Sequence, residues 1–332
     1  MQPGDQPDDP RRCSLLARLA RLAVSLIAAA AIVVMLLTVA GFAARIHWRC
    51  EQVCHFRVQY FWLLVMAGLV LALAKRPRLA TAAGALAIVN AIVVASVYWP
   101  PGTEPSSEPP LKLIAFNVLG ENERHSEVVD FLRREKADVV ILMEVQPAWV
   151  SSIESLSDAY PHQQVQARND HFGIALLSRE PLKTVQTRSL GSAELPTIVA
   201  EMEHAGRPLL LIGTHPLPPG TTATAALRNE QLAAVASLVQ QQTIPVVLAG
   251  DLNTTSYSPY FQDLCSHTGL RDSRQGYGVQ ASWSPRLPVL EICIDHCLVP
   301  PAIHVADRRV GPHLGSDHRP VMVALTWTRD TE

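Results

Sequence analysis

Hydrophobic and polar positions fall into two regimes along the chain. In the first hundred residues charge disappears for long stretches: Leu22 to Ala44 is 23 residues without a charge, Val58 to Ala74 is 17, and Leu79 to Trp99 is 21. A helix needs about 20 apolar residues to cross about 30 Å of hydrocarbon. The first and third stretches meet that length and the second is at its short end. A secretory signal has an apolar core of only about 7 to 15 residues, so the first stretch is too long for one. The pattern predicts a membrane domain over residues 1–99, with three spanning helices at about 22–44, 58–74 and 79–99. Asn90, inside the third, is expected to make an interhelical hydrogen bond. Residues 100–110 contain five prolines and read as a semi-rigid linker that holds the following domain off the bilayer.

From Leu111 the pattern shortens. Leu111 to Val118, Asp138 to Met143, Phe172 to Ser178, Thr197 to Glu203, Leu209 to Thr214, Pro245 to Ala249, Ile292 to Val299 and Pro320 to Trp327 are short apolar or alternating runs of strand length. His125 to Lys136 and Thr224 to Gln242 carry apolar residues at helical spacing. Strands alternate with helices in places and follow one another directly in others. The expected fold is α/β, a layered sandwich of two mixed β-sheets flanked by helices, over residues 111–332.

Charge sharpens the division. Residues 1–110 carry 10 Lys/Arg and 6 Asp/Glu, whereas residues 111–332 carry 18 and 24. The second region, at net −6, lacks the electrostatic footprint of a general nucleic-acid binder, although Arg271, Arg274 and Arg286 could form a local basic patch. Basic residues also set orientation. Arg11, Arg12, Arg18, Arg21, Lys75, Arg76 and Arg78 flank one side of the spans, and Arg45, Arg49 and Arg57 the other. The N-terminus is expected in the cytoplasm and the second domain outside it, on a multi-pass protein of the cell membrane. Cysteine is too sparse for a disulfide scaffold. Cys50 and Cys54 share the outer loop and could pair. Cys293 and Cys297, four residues apart in an expected strand, could not.

Polar residues stand where the buried runs end. Asn117 ends the first strand and Glu144 follows the second. His215 ends the run LLLIGTH, Asp251 and Asn253 follow PVVLAG, Asp295 lies within EICIDHCLV, and Asp317 and His318 precede the last strand. Functional groups gather at such ends because a rigid scaffold holds the loops. If these ends converge, they form a carboxylate-rich pocket with two imidazoles, and carboxylate and amide oxygens suit Mg²⁺ or Mn²⁺.

The segments FNV, LMEVQ, FGIALLSR, GTH, GDLN, IDH and GSDHRP occur in one order over residues 111–328. Together they resemble the endonuclease/exonuclease/phosphatase superfamily, and the whole chain resembles a bacterial, membrane-anchored member. The resemblance implies a metal-dependent phosphoesterase of the phosphodiesterase or nuclease type, with Mg²⁺ or Mn²⁺ as cofactor. Glu144 would bind the metal, and Asp317 would support a second metal or hydrogen-bond Asn117. Asn117 would hold the metal shell or a catalytic carboxylate. Asp251 would orient and deprotonate the attacking water. Asn253 and His215 would donate to the phosphate, and His318 would contact it with Asp295 holding its other nitrogen. His171 and His296 lie beside motifs without an assigned role, and Arg179 reads as structural. Leu119 stands where many members have a polar residue, which favours one metal over two. The alternative is a catalytically inactive, membrane-anchored binding or sensor protein. The substrate class stays open between lipid head groups and nucleic acid. A reporter active only outside the cytoplasm should be active when fused after Glu332 and silent after Arg78; the reverse pattern would place the second domain in the cytoplasm.

Overall fold

The computed structural model describes residues 10–284 and 288–329, with side chains from Leu15 onward. Arg286 and residues 330–332 of the expected second domain lie outside the described residues.

The first region is helical. It comprises α1 (Pro10–Ala40), a 3-10 turn at Gly41–Ala43, α2 (Trp48–Cys54), α3 (Arg57–Leu73) and α4 (Pro77–Ala95). Two helical segments, Leu15–Ala43 and Pro77–Ala95, are each long and apolar enough to cross a membrane. The middle expected span, 58–74, is the helix α3, which at 17 residues does not stand as a span by itself. α2 and α3 meet at 65° and amount to a third span only if the bent pair is counted as one. The bend has a sequence cause: α2 carries Arg49, Glu51 and Gln52, and its start is capped by His47, whose ring accepts from the Arg49 amide. Asn90 does join helices. Its amide donates to Thr38 Oγ1 of α1 at 3.1 Å and its oxygen accepts from Arg57 of α3 at 3.2 Å. Cys50 and Cys54 are free thiols.

Among the described residues the second region holds twelve strands in two six-stranded sheets. The first sheet contains β1 (Leu111–Asn117), β2 (Val139–Met143), β3 (His162–Gln166) and β4 (Ile174–Ser178). The second contains β5 (Leu182–Leu190), β6 (Leu195–His204), β7 (Arg207–Thr214), β8 (Val246–Asp251), β9 (Arg271–Asp272) and β10 (Asp295–Val299). β11 (Ile303–Val310) and β12 (Val321–Trp327) return to the first. The orders are β11-β12-β1-β2-β4-β3 and β5-β6-β7-β8-β10-β9. β1/β2 and β7/β8 pair in parallel, and the other pairs are antiparallel. Leu113, Ile141, Ile174, Ile198, Leu211, Val247 and Val323, drawn from both sheets, form the core between them. Helices α5 (His125–Glu135) and α6 (Pro147–Glu154) cover the outer face of the first sheet, burying Phe131 and Trp149. Helices α7 (Thr222–Gln240) and α8 (Pro259–Thr268) cover the second. This is the layered arrangement expected from the apolar runs. β3 and β5 had no apolar signature because they lie at sheet edges, where side chains stay partly or fully exposed. Cys293 precedes β10 instead of lying in it.

Pairing register decides what meets at the strand ends. In the parallel pair, Asn117 lies opposite Met143, the residue before Glu144. In the antiparallel pair, Asp251 lies opposite Asp295. Residues 100–110 are not a free spacer. Pro105 bridges to Thr328, and Ser106 N donates to Trp327 O at 2.8 Å. The linker therefore lies along the end of β12.

Gly250 sits in β8 at φ +151°, and a Cβ built there would fall 2.0 Å from the Thr214 carbonyl oxygen of β7. Gly250→Ala should therefore cost roughly 3 kcal/mol through overlap and backbone strain. The check is a lowered thermal unfolding midpoint together with lost activity; an unchanged midpoint would mean that β7 and β8 can part without cost.

Candidate active site

Six strand ends converge where the two sheets meet. Asp251 and Asp295 are 1% and 0% exposed. His318 closes the space between them: its Nδ1 lies 2.9 Å from Asp295 Oδ2 and its Nε2 3.6 Å from Asp251 Oδ2. Ser282 donates its hydroxyl to Asp295 Oδ2 at 2.6 Å. The Ser316 hydroxyl donates to the Asn117 carbonyl at 2.8 Å, while its oxygen accepts from the His318 amide at 2.9 Å. Asn117 reaches both sides of the site. Its side-chain amide donates to Glu144 Oε1 at 2.9 Å and to Asp251 Oδ2 at 3.2 Å, and its oxygen accepts from the Leu119 amide. His215 Nε2 is 3.5 Å from Asp251 Oδ2, and its ring is 5.4 Å from that of Phe172. Nine non-glycine residues have left-handed backbone among those described, and Leu119, Glu144, His171 and Asn253 are four of them. Strain of this kind persists only where surrounding contacts enforce it, commonly at functional sites.

Burial sets the electrostatics. It raises Asp251 to about 7, with the His318 charge pulling the other way. For His318, burial opposes the cation, but Asp295 and Asp251 outweigh it and lift the imidazole to about 9. Asp295 is correspondingly pulled below the ordinary range: burial works against ionisation, and the His318 charge together with hydrogen bonds from His318 and Ser282 overcomes it. For His215 burial dominates: it outweighs the pull of Glu144 and Asp295, His318 adds to it, and the imidazole is pushed down to about 4, so it is neutral at pH 7. For Glu144, burial is outweighed by His215 and by hydrogen bonds from Asn117, the Gly120 amide and His171, which keep the carboxylate ionised.

Two sets of donors could hold a cation among the described residues: Glu121, Glu144 and His171, and Asp251, Asp295 and His318. In the second, His318 already compensates the carboxylates. The first is half open to solvent and carries two carboxylates and one imidazole, a donor set that fits Mg²⁺ or Mn²⁺. His171 Nδ1 lies 3.2 Å from Glu144 Oε2 and its Nε2 3.3 Å from Glu121 Oε1. Sequence reasoning gave Glu121 no role and His171 none. Neither had a signal of its own in the sequence; His171 comes beside Glu144 because β2 and β4 pair with Met143 opposite Ile174, which brings the residues just before β4 to the end of β2.

The other expected residues fall as follows. The Asp317 carboxylate accepts from Trp283 Nε1 at 3.2 Å, and no hydrogen bond joins it to Asn117 among the described residues. Asn253 donates its side-chain amide to Pro216 O and its backbone amide to Asp251 Oδ1, each at 2.9 Å, so in this arrangement it braces the loop. Arg179 donates to the Lys136 carbonyl, a structural contact. Arg274 is buried against Asp272 and so is not part of a surface basic patch, while half-buried Arg271 donates to Ile303 O. His296 is fully buried and bonds Thr254 O at 2.8 Å.

This fold and this cluster define a phosphoesterase-type α/β sandwich. The chain belongs to the Endonuclease/Exonuclease/phosphatase family, whose model matches residues 114–318. Among solved structures it is similar to an endonuclease/exonuclease/phosphatase from Beutenbergia cavernae, at 21% identity and TM-score 0.55, covering 66% of this chain and 72% of that one. It is also similar to D. rerio TDP2 complexed with a single-strand DNA product, at 16% identity and TM-score 0.55, covering 65% and 99%. The sphingomyelinase C of Streptomyces griseocarneus matches at 19% identity and TM-score 0.50, covering 65% and 99%. At these identities the likeness is one of fold. No curated protein sequence matches significantly.

The charge states make a pH prediction. A base at Asp251 must lose its proton, and a donor at His318 must keep one. Log kcat/KM should rise with pH towards a limit near 7, set by Asp251, and fall above about 9 as His318 deprotonates. A profile flat from pH 6 to 10 would exclude both roles.

Proposed function

We propose that the protein is a membrane-anchored, divalent-metal-dependent phosphoesterase of the phosphodiesterase or nuclease type. The observation that carries this reading is the single buried cluster in which Asn117 bonds both Glu144 and Asp251 while His318 bridges Asp251 and Asp295. In-line attack of water on phosphorus needs a base, donors for the phosphoryl oxygens and compensation of their charge. Asp251 accepts the proton of the attacking water, and its orientation is fixed by Asn117 and the Asn253 amide. His318, cationic through Asp295, donates to a phosphoryl oxygen. His215 is the neutral second donor. Glu144, with Glu121 and His171 beside it, would hold Mg²⁺ or Mn²⁺, which when bound neutralises phosphate charge. The substrate is a phosphate ester, either a lipid head group or nucleic acid. The helices over residues 1–99 anchor the chain in the cell membrane with the catalytic domain on the outer side, as the distribution of Lys and Arg favours.

The test is hydrolysis of bis(p-nitrophenyl) phosphate by the full chain in detergent. Activity should vanish with EDTA and return with Mg²⁺ or Mn²⁺. Glu144→Gln should raise the metal concentration needed for half activity, and Asp251→Ala should abolish turnover. Full activity in EDTA would remove the metal from the reading, and full activity of Asp251→Ala would remove the site.

A further inference from the structure

The loop that follows Asp251 is held from outside the catalytic domain. Glu51, in α2, is 1% exposed although it belongs to the segment between the apolar helices. Its carboxylate lies in the catalytic domain's own interior. Both its oxygens accept from Arg228 Nη2, at 2.5 and 2.6 Å, and Oε1 also accepts from the Ser258 hydroxyl at 2.6 Å. Arg228 of α7 is fully buried, and its other terminal nitrogen donates to the Asn253 carbonyl at 2.8 Å. Asn253 has left-handed backbone at φ +49°, and its amide donates to Asp251 Oδ1 at 2.9 Å. A continuous path of charged and hydrogen-bonded groups thus runs from Glu51 through Arg228 and Asn253 to Asp251. Just past the end of α2, His55 reaches the same loop, with Nδ1 2.9 Å from Thr255 Oγ1. A second contact between the two regions lacks this property. Arg45 pairs with Asp263 at 2.7 Å on the surface, and neither touches the loop.

We propose that Glu51 is a positioning residue for the catalytic site: its buried carboxylate fixes Arg228, which fixes the 251–258 loop and the direction of the Asp251 carboxylate. Without Glu51, Arg228 would be an unpaired cation in the interior, a state that is strongly disfavoured, and it would turn away from Asn253. The segment between the apolar helices is therefore part of the site's scaffold, and the catalytic domain cut at the linker lacks one of its supports. The effect on turnover rests on the phosphoesterase reading above; the effect on the loop does not.

The experiment compares the full chain with Glu51→Gln, Glu51→Asp and Arg45→Ala in detergent, by two readouts. In hydrogen–deuterium exchange, Glu51→Gln should lose protection over 251–258 while β2 keeps it, and Arg45→Ala should match the parent. In hydrolysis of bis(p-nitrophenyl) phosphate with Mg²⁺ or Mn²⁺, Glu51→Gln should lower kcat by about 10- to 100-fold, as expected of a misplaced catalytic group, with KM within about twofold. Glu51→Asp, which keeps the charge, should recover part of that loss. If the parent hydrolyses nothing, the phosphoesterase reading fails and exchange alone decides the proposal. Unchanged loop protection in Glu51→Gln would overturn it, as would a parental kcat. If Glu51→Gln loses protection everywhere, the neutral pair Glu51→Gln/Arg228→Gln decides. A folded double variant with parental kcat would make the pair purely structural, as would global loss in that variant too; a folded variant with low kcat would sustain the positioning role.

Discussion

Two carboxylates face each other where β8 pairs with β10, and neither reaches water. Asp251 and Asp295 cannot both be ionised there without a cation between them, since burial removes the screening that separates like charges at a surface. His318 supplies that cation, and the rest of the site follows from the need to hold it. Ser282, Ser316 and Asn117 each spend a hydrogen bond on one member of the trio or on the backbone beside it. These residues come from both sheets, so the charge arrangement exists only when the sandwich is closed. The same asymmetry separates the two aspartates: Asp295, nearer the imidazolium and bonded to Ser282, stays ionised, while Asp251 is left as the more basic of the two.

The helical region shares in this arrangement. α2 and α3 meet at a bend of 65°. The bend sets Glu51 beside Arg228, and α3 lets Gln59 donate to the Glu291 carbonyl. A buried ion pair is not in itself a strong source of stability, because desolvation consumes much of the attraction. Its value here is directional, since the guanidinium has donors left over for Asn253 and for Asn229. The linker pairing along β12 adds a second seam. The two regions are thus joined by specific polar contacts and not by a tether alone.

Several parts of this were legible in the sequence, for local reasons. An apolar run ends at a polar residue where the chain leaves the core, so Asn117, Glu144, His215, Asp251, Asp295 and His318 marked their strand ends. Asn90 stood out because an amide in an apolar helix must find a bond. Other parts were not legible. Asp317 was expected to support a second metal or hydrogen-bond Asn117, but its carboxylate accepts from Trp283 Nε1 instead of from Asn117, a partner brought in by the loop before β10 and set by no local pattern. Glu121 is an ordinary loop carboxylate until Glu144 and His171 are folded against it.

The sequence by itself determined the division into apolar helices and a layered α/β domain, and it placed the polar residues at strand ends. Both depend on periodicity and run length, which are properties of neighbouring residues. Only the tertiary structure decided that Asp251 opposes Asp295, that His318 lies between them, and that Glu51 meets Arg228 across 177 positions of sequence. These contacts depend on pairing register and on how one layer packs over another. A shift of one residue in either would separate them without changing any local pattern.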